Sequence, residues 1–271
     1  MKLSTLKALY VDTLTGLYNR SEAENIFYIV IEWMEKKSKT DVIVGYDTLL
    51  DHSYLNVLTE LNAGKPVQYV MQRAPFYTLD IFVNESVLIP RPETEELVHL
   101  VIQENENYQG TILDLGTGSG CIALAFKKFI PTAEVKGIDI SEEALSVAKE
   151  NSKLTSLDVD FQKADILKMG DLGDVGIIVS NPPYISRSES GDMHKNVKDH
   201  EPDVALFVED SDPLIFYKKI LSLAQLQQVT CYFETSEFYK NELDDWMNSK
   251  NYDYQWYKDF QGKNRILKVS F

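Results

Sequence analysis

The chain has 271 residues, 44% of them apolar and 11% aromatic, which is enough to fill one large domain or two modest ones. Its formal net charge is −15, and because proteins that bind duplex phosphates are usually basic, this charge disfavours direct contact with nucleic acid. No apolar stretch suits a signal peptide or a membrane span, and Cys121 and Cys231 lack metal-ligand spacing, so we expect a cytoplasmic protein with reduced, buried thiols.

Residues 1–68 have the apolar periodicity of helices. One stripe of apolar residues runs from near Ser21 to Met34, and Ser21 with Glu24 predicts a capping box at its start. A second stripe ends at Gly64, shortly before a proline, which is typical of a helix C-terminus. We therefore predict a small helical bundle that binds a partner or supports a second domain, and that carries no catalytic residues.

The segment 69–88 changes to the periodicity of a strand. Apolar residues recur at every second position from Tyr77 onwards, which predicts a β-hairpin connector. After it, Pro90-Arg91-Pro92 precedes acidic residues and an apolar helical stripe, so we predict a helix with proline in its first turn. Arg91 is either a surface cation or a side chain held in place for a substrate.

A glycine-rich turn, Gly116-Thr117-Gly118-Ser119-Gly120, follows a predicted apolar strand at residues 111–115. Glycines let a backbone approach a ligand closely, and this is the first strand-to-helix crossing, where doubly wound folds bind cofactors. The spacing and the lack of a following lysine disfavour both a dinucleotide fingerprint and a triphosphate loop. The next strand ends at Asp139, about twenty residues on, where an acid would hold ribose hydroxyls. The spacing predicts an adenosine-containing ligand.

Two further strand ends carry polar residues. Asp165 ends the third strand and would accept from an adenine amino group while Ile166 packs on the ring, unless Asp165 is only a solvated loop residue. The fourth strand ends at Asn181-Pro182-Pro183-Tyr184. The side-chain carbonyl of the asparagine, the free carbonyl of the first proline and the flat tyrosine ring suit a planar group that carries an NH2. The alternative is a Pro-Pro turn that only caps the strand.

The remaining chain completes an α/β pattern. Residues 186–212 predict a long acidic loop of the kind that forms lids or binding segments. The four histidines lack metal spacing, so we expect no metal site. A helix from Pro213, a strand at 229–234 and a terminal antiparallel hairpin predict a doubly wound sheet.

Several of these motifs, in this order, resemble the HemK/PrmC family of S-adenosylmethionine-dependent methyltransferases that act on glutamine in peptide chain release factors. The likeness covers nearly the whole chain and depends on residues 89–94, 114–120, Asp139 and 181–184. It implies a class I methyltransferase with a mostly parallel seven-stranded sheet. The implied domains are an N-terminal helical domain for substrate docking at 1–68, the connector at 69–88 and a catalytic domain at 89–271.

The resemblance also implies roles for single residues. The glycine turn and Asp139 would hold the cofactor, with Ile166 at the adenine. Asn181, Pro182 and Tyr184 would be the catalytic residues, with the first two holding the substrate amide. Pro183 and Arg91 would also bind the substrate, and Asn181 would contact the cofactor as well. The implied enzyme is a monomer that methylates the side-chain nitrogen N5 of the glutamine in the GGQ motif of a release factor, without direct contact with nucleic acid or membrane.

The sequence departs from the family pattern at several positions outside the acceptor loop. Gln72 and Thr78 replace expected glycines, Gly176 replaces an acid, residues 208–213 replace a glycine-rich turn, and residues 234–236 replace Glu-Ile-Gly. Two other functions therefore stay open. One is an adenine-N6 methyltransferase on DNA or RNA, because the same loop would grip a flipped base. The other is a non-catalytic cofactor-binding scaffold, for which these departures are the only indication.

Overall fold

The computed structural model describes residues 1–44, 51–192 and 195–271. Within the described ranges, no helix is long and apolar enough to span a bilayer. The helices are α1 Leu3–Leu14, α2 Arg20–Glu35, α3 Lys39–Val44, α4 Ser53–Asn62, α5 Val67–Val70, α6 Pro92–Glu104, α7 Cys121–Phe129, α8 Glu142–Thr155, α9 Lys195–His200, α10 Asp203–Leu206, α11 Ile215–Gln227 and α12 Lys240–Ser249. The strands are β1 Ala74–Phe76, β2 Leu79–Ile81, β3 Thr111–Leu115, β4 Glu134–Asp139, β5 Asp160–Lys163, β6 Ile177–Ser180, β7 Ile185–Ser186, β8 Phe207–Val208, β9 Thr230–Glu234, β10 Asp253–Lys258 and β11 Asn264–Ser270.

The chain divides into two compact units. The described residues of Met1–Arg73 and His194–His200 form the first unit, and those of Ala74–Met193 and Glu201–Phe271 form the second. We call them the helical unit and the sheet unit. The helical unit therefore recruits a short segment, including α9, from deep within the chain.

The helical unit has its own apolar core, as its stripes predict. Tyr10 packs edge-on against Phe27 with ring centroids 5.5 Å apart, and its hydroxyl donates to the carbonyl oxygen of Tyr54 at 2.6 Å. The predicted capping box is wrong. The side chain of Asn19 caps α2 by accepting from the backbone N–H of Glu22 at 3.0 Å, because the chain is still extended at Asn19 and already helical at Ser21.

The hairpin of the sheet unit is shorter than the predicted connector. Strands β1 and β2 pair antiparallel, while α5 occupies part of the preceding segment. Tyr77 and Thr78 form the turn and not the strand, with positive φ of 42° and 66°. An aromatic residue stands at position 77 because of tertiary contacts: its ring packs edge-on against Phe129, with centroids 5.1 Å apart, and its hydroxyl hydrogen-bonds Nδ1 of His99 at 2.9 Å.

A seven-stranded sheet forms the centre of the sheet unit, with strand order β10-β11-β9-β6-β3-β4-β5. Strand β11 runs antiparallel to both neighbours, and the other pairs are parallel. The predicted doubly wound, mostly parallel sheet of seven strands is confirmed. Cys121 and Cys231 are buried free thiols, also as expected, and burial raises the pKa of Cys121 to about 12.

The register of the parallel strands aligns three loops at one edge of the sheet. Leu115 pairs with Ile138 on one side and with Ser180 on the other. The residues that follow these three, Gly116, Asp139 and Asn181, therefore lie side by side at the carboxyl edge. The chain order reverses between β3 and β6, and open α/β sheets bind ligands at such a switch point.

The segment 186–212 is not the long loop that its acidity predicts. Its described residues contain α9, α10 and β8, and β7 pairs with β8 in a small parallel sheet. Within the helical unit, the amide of Asn196 donates to the hydroxyl of Tyr18. These elements are too short to show a clear period in the sequence.

Candidate active site

An open pocket lies at the switch point, outside the carboxyl ends of β3, β4 and β6. Apolar residues that the sequence did not indicate as site residues contribute much of its wall, including Val87, Ile140, Leu167 and Phe216. The predicted site residues that line the pocket are Gly116, Gly118, Asp139, Asp165, Ile166, Asn181 and Pro183. The predicted residues outside the lining are Arg91, Thr117, Ser119, Gly120, Pro182 and Tyr184.

The glycine turn presents bare backbone to the pocket. Gly116 and Gly118 have φ of +78° and +52°, and a Cβ at either position would meet nothing within 4 Å. The N–H groups of Gly116 and Thr117 both donate to the carbonyl oxygen of Ile138, at 2.8 and 2.9 Å. These two hydrogen bonds fix the backbone of the turn. This arrangement fits a cofactor whose atoms occupy the space that side chains would fill.

The other residues of the turn face inward. The side chains of Thr117 and Ser119 are buried, and a Cβ on Gly120 would come within 2.8 Å of Phe161. The hydroxyl of Thr117 donates to Oδ2 of Asp114 at 2.6 Å. These residues support the turn from below and do not line the pocket.

Asp139 ties the glycine turn to the next helix. Its Oδ2 accepts from the backbone N–H of Gly118 and its Oδ1 from that of Ser141, both at 2.9 Å. The Ser141 hydroxyl in turn caps α8 by accepting from the N–H of Ala144 at 3.1 Å. Since an ionised carboxylate has about four acceptor sites, two remain for a ligand hydroxyl. Asp139 therefore both shapes the turn and offers acceptors to the pocket.

Asp114 lies under the same turn and was not predicted as a site residue. It is fully buried, and its Oδ1 has no hydrogen-bond partner. Burial raises the pKa of Asp114 to about 7, and the neighbouring charge of Asp139 adds to this rise. The only sequence signal for it is its position just before the glycine turn.

Asp165 and Ile166 also line the pocket. Oδ1 of Asp165 accepts from the N–H of Leu167 at 3.0 Å, and Oδ2 pairs with Nζ of Lys168 at 2.9 Å. Lys168 is the main reason why the pKa of Asp165 lies below its ordinary value. Asp165 is therefore an ionised cap of its own turn, next to the buried apolar side chain of Ile166.

Asn181 begins a buried chain of hydrogen bonds that leads away from the pocket. Its Nδ2 donates to Oγ1 of Thr94 at 3.2 Å, and that hydroxyl donates to Oε2 of Glu234 at 2.6 Å. Thr94 and Glu234 are each 3% exposed, and burial raises the pKa of Glu234 to about 7. The register explains the proximity, because Phe233 pairs with Ser180 and so brings Glu234 beside Asn181.

The other residues of the predicted acceptor site lie behind or beside the pocket. Pro182 is buried, and Tyr184 packs half-buried against the core, where burial raises its pKa. The guanidinium of Arg91 forms an ion pair at 2.6 Å with Glu201, whose side chain is 1% exposed. Arg91 is thus held in place by a buried carboxylate of the protein and is not a free surface cation.

None of the residues that depart from the expected pattern lines the pocket. Gln72 and Thr78 both have positive φ, 53° and 66°, so they occupy positions that favour glycine. At Gly176, the hydroxyl of Tyr108 fills the space that a side chain would need. Ser236 has an ordinary φ of −80° and caps a turn by accepting from the N–H of Phe238 at 3.3 Å.

Residues 94–199 match the family model described as the methyltransferase small domain. The chain is 39% identical to the release factor glutamine methyltransferase of Flavobacterium psychrophilum, with 100% of both chains covered. It is 35% identical to the release factor glutamine methyltransferase of Bacteroides thetaiotaomicron, covering 99% of this chain and 100% of that protein.

Two solved structures show the same fold. The hMettl16 catalytic domain in complex with MAT2A 3′UTR hairpin 1 has a TM-score of 0.58 at 16% identity, covering 78% of this chain and 80% of that one. A methyltransferase from Pyrococcus furiosus has a TM-score of 0.51 at 18% identity, covering 82% and 98%. At such low identity these likenesses concern the fold alone.

Proposed function

Because the chain belongs to the family of release factor glutamine methyltransferases, we propose that its pocket transfers a methyl group from S-adenosylmethionine to N5 of the glutamine in the GGQ motif of a release factor. The observation that carries the proposal is the register that aligns Gly116, Asp139 and Asn181 at the switch point. The first wall, which we call the glycine wall, suits an adenosine-containing cofactor and consists of Gly116, Gly118, Asp139, Asp165 and Ile166. The second wall, which we call the acceptor wall, is the loop 181–184, where Asn181 offers an acceptor to an amide.

Family membership favours glutamine over the adenine-N6 alternative, and the charge of −15 also counts against a nucleic-acid substrate. The scaffold alternative loses its support because Gln72, Thr78, Gly176 and Ser236, where the sequence departs from the pattern, all lie outside the pocket lining. The enzyme acts as a monomer in the cytoplasm, on protein and not on nucleic acid.

The glycine wall holds the cofactor. The bare backbone of Gly116 and Gly118 would let the cofactor approach closely, Asp139 would accept from its ribose hydroxyls, and Ile166 would pack on its adenine with Asp165 beside it. When bound there, S-adenosylmethionine supplies an electrophilic methyl group on its sulfonium.

The acceptor wall positions the side-chain amide of the glutamine. An amide nitrogen is a weak nucleophile because its lone pair is delocalised, so it must be positioned accurately. Asn181 Oδ1 and the Pro182 carbonyl accept its two hydrogens, which turns the lone pair towards the methyl group and stabilises the positive charge that develops on nitrogen. The rings of Pro182 and Pro183 keep this loop stiff, and Tyr184 packs against the core beside it. Arg91 is held in place by its ion pair with Glu201. As the bond to nitrogen forms, the bond between sulfur and the methyl group would break, its electron pair staying on sulfur as a neutral thioether, and the nitrogen would then lose one proton to water.

A methylation assay with radiolabelled cofactor tests the substrate. The full-length protein is offered an intact release factor and double-stranded DNA in parallel. We expect label in the release factor and none in the DNA. Label in DNA would support the adenine-N6 alternative, and a folded protein that binds cofactor but labels neither substrate would support the scaffold alternative.

The helical unit, corresponding to the predicted domain 1–68, serves as the docking surface for the release factor. A loop of four residues is too small for a standard interface of about 800 Å² per partner, so a second surface is needed. Ile43 and Val44 in α3 are 64% and 81% exposed, unusual for such apolar residues.

Exchange of both for glutamate tests the docking surface in the full-length chain. Ile43→Glu with Val44→Glu is expected to lower kcat/KM for intact release factor about tenfold, the loss of one interface anchor, and to leave a short glutamine peptide unaffected. Leu226→Glu is the matched control, because Leu226 is 79% exposed in the sheet unit. Equal loss with peptide and intact release factor would argue against docking here.

A further inference from the structure

The buried chain from Asn181 to Glu234 has a fixed direction. An ionised carboxylate only accepts hydrogen bonds, so Glu234 Oε2 takes the single hydroxyl hydrogen of Thr94 at 2.6 Å. Thr94 Oγ1 then has only lone pairs left. It must therefore accept from its other neighbour, the side-chain amide of Asn181, 3.2 Å away.

This direction decides which end of the Asn181 amide faces the pocket. The carbonyl and NH2 ends of an asparagine have nearly the same shape, and rotation about one bond exchanges them. Thr94 binds the NH2 end, so Oδ1 is left for a ligand. The choice matters for the reaction, because the substrate amide NH2 donates hydrogen bonds and can bind only to the acceptor end of Asn181.

We propose that Thr94 and Glu234 are positioning residues that hold Oδ1 of Asn181 towards the substrate amide. The inference rests on the proposed function, since it assumes that Asn181 binds that amide. Neither residue lines the pocket, so both act through Asn181.

The surroundings of Glu234 fit this role. The residue is 3% exposed, its backbone carbonyl accepts from the hydroxyl of Tyr217 at 3.1 Å, and β9 fixes it beside β6. Burial raises the pKa of its carboxyl to about 7, and the bond from Thr94 and the charge of Arg265 oppose that rise. The carboxylate is therefore ionised in assays at about pH 8.5.

A double-mutant cycle in the full-length protein tests the inference at that pH. Thr94→Val keeps the shape and removes the hydroxyl, and it is expected to lower kcat about tenfold, as one misdirected acceptor would. Its Kd for S-adenosylmethionine stays within about twofold of the parent, because the glycine wall is untouched. Thr94→Ser restores the hydroxyl and should recover most of the rate.

The same exchange in an Asn181→Ala background separates positioning from general structural support. If Thr94 acts through Asn181, Thr94→Val costs less than about twofold there, since coupled residues are not additive. An equal loss in both backgrounds, or a normal kcat for Thr94→Val while Asn181→Ala is slow, would overturn the inference and leave the proposed function standing. A normal kcat for Asn181→Ala would instead overturn the role proposed for Asn181. If circular dichroism shows that Thr94→Val does not fold, Thr94→Ala at lower temperature enters the same cycle.

Discussion

The two walls of the pocket follow different principles. The glycine turn at 116–120 is shaped by its own backbone, with positive φ at its glycines and N–H groups bound to Asp139 and to Ile138. The acceptor loop at 181–184 is shaped by proline rings and by side-chain contacts with residues on other elements. The glycines of the first wall present bare backbone to the pocket, whereas the second wall presents a side chain that other side chains hold in place. We therefore expect changes in the first to affect cofactor binding and changes in the second to affect the rate.

The largest effect that separates the walls is expected from Asn181→Ala. Loss of one acceptor that stabilises developing charge costs about 3 kcal/mol of barrier, or about a hundredfold in turnover. Calorimetry should show nearly unchanged affinity for S-adenosylmethionine, because the glycine wall is intact. Near-normal turnover would remove Asn181 from the chemistry and end the contrast between the walls.

Asp139→Ala should have the opposite profile. The change removes the acceptors for ribose hydroxyls and the tie between the glycine turn and Ser141, so we expect cofactor affinity to weaken by about 1.5–3 kcal/mol. Asp139→Asn keeps one acceptor oxygen and should lose less. Glu142→Ala, at an exposed carboxylate paired with Lys163, is the control for lost charge. Unchanged affinity in Asp139→Ala would mean that the ribose lies elsewhere.

The sequence indicates where the first wall lies because the requirements of that wall are local. Glycines in a strand-to-helix turn and an acid at the next strand end follow from φ limits and a fixed spacing, and the structure puts Gly116, Gly118 and Asp139 around one pocket. The second wall is only half predictable. Asn181 and its prolines are visible as a motif, but Thr94 in α6 and Glu234 at the end of β9 lie 140 residues apart, and only tertiary packing brings them together.

The local errors also have physical causes. Asn19 and Ser21 are both good cap residues, so composition cannot choose between helix starts one or two residues apart. Tyr77 continues the alternation of β2 into the turn because its ring packs on Phe129, outside any strand. Tertiary contacts of this kind can place an apolar ring where it continues the alternation of a strand, although the residue lies in a turn.

A smaller effect on stability is expected from Asp114→Asn, which tests the support under the first wall. Burial raises the pKa of Asp114 from its ordinary 3.8 to about 7. Well below pH 3.8 the carboxyl is protonated in both the folded and the unfolded chain, so it does not change the free energy of unfolding. As pH rises towards 7, the unfolded chain ionises first and the folded protein loses stability.

The Asp114→Asn side chain does not ionise, so the stability of the variant relative to the parent should grow with pH. Thermal melts should give a difference in Tm, variant minus parent, that increases between pH 4 and pH 8 by at least about 2–4 °C, the equivalent of about 1 kcal/mol. The bond from Thr117 to this side chain can be kept, because asparagine also has an acceptor oxygen. A difference that is constant with pH would show that Asp114 is ionised at no cost.

The smallest expected effect is on stability, and it tests in the β1–β2 hairpin what the glycine turn shows, namely that positions with positive φ favour glycine. Thr78 has φ of 66° in a two-residue turn that favours glycine, so Thr78→Gly should stabilise the folded protein by about 1 kcal/mol, or about 2–4 °C in Tm. Thr78→Ala keeps the Cβ and is the control. Turnover should not change, since Thr78 is outside the pocket lining. A lower Tm for Thr78→Gly would show that the hydrogen bond from Lys128 Nζ to the Thr78 hydroxyl outweighs the strain.

Product analysis by tandem mass spectrometry tests the central claim most directly. Intact release factor is incubated with S-adenosylmethionine and the full-length protein, or with the Asn181→Ala variant, and then digested and sequenced by fragmentation. The account predicts one added methyl group on the side-chain nitrogen of the GGQ glutamine, with far less from the variant at equal time. A methyl group on any other residue, or equal yields from the two proteins, would contradict it.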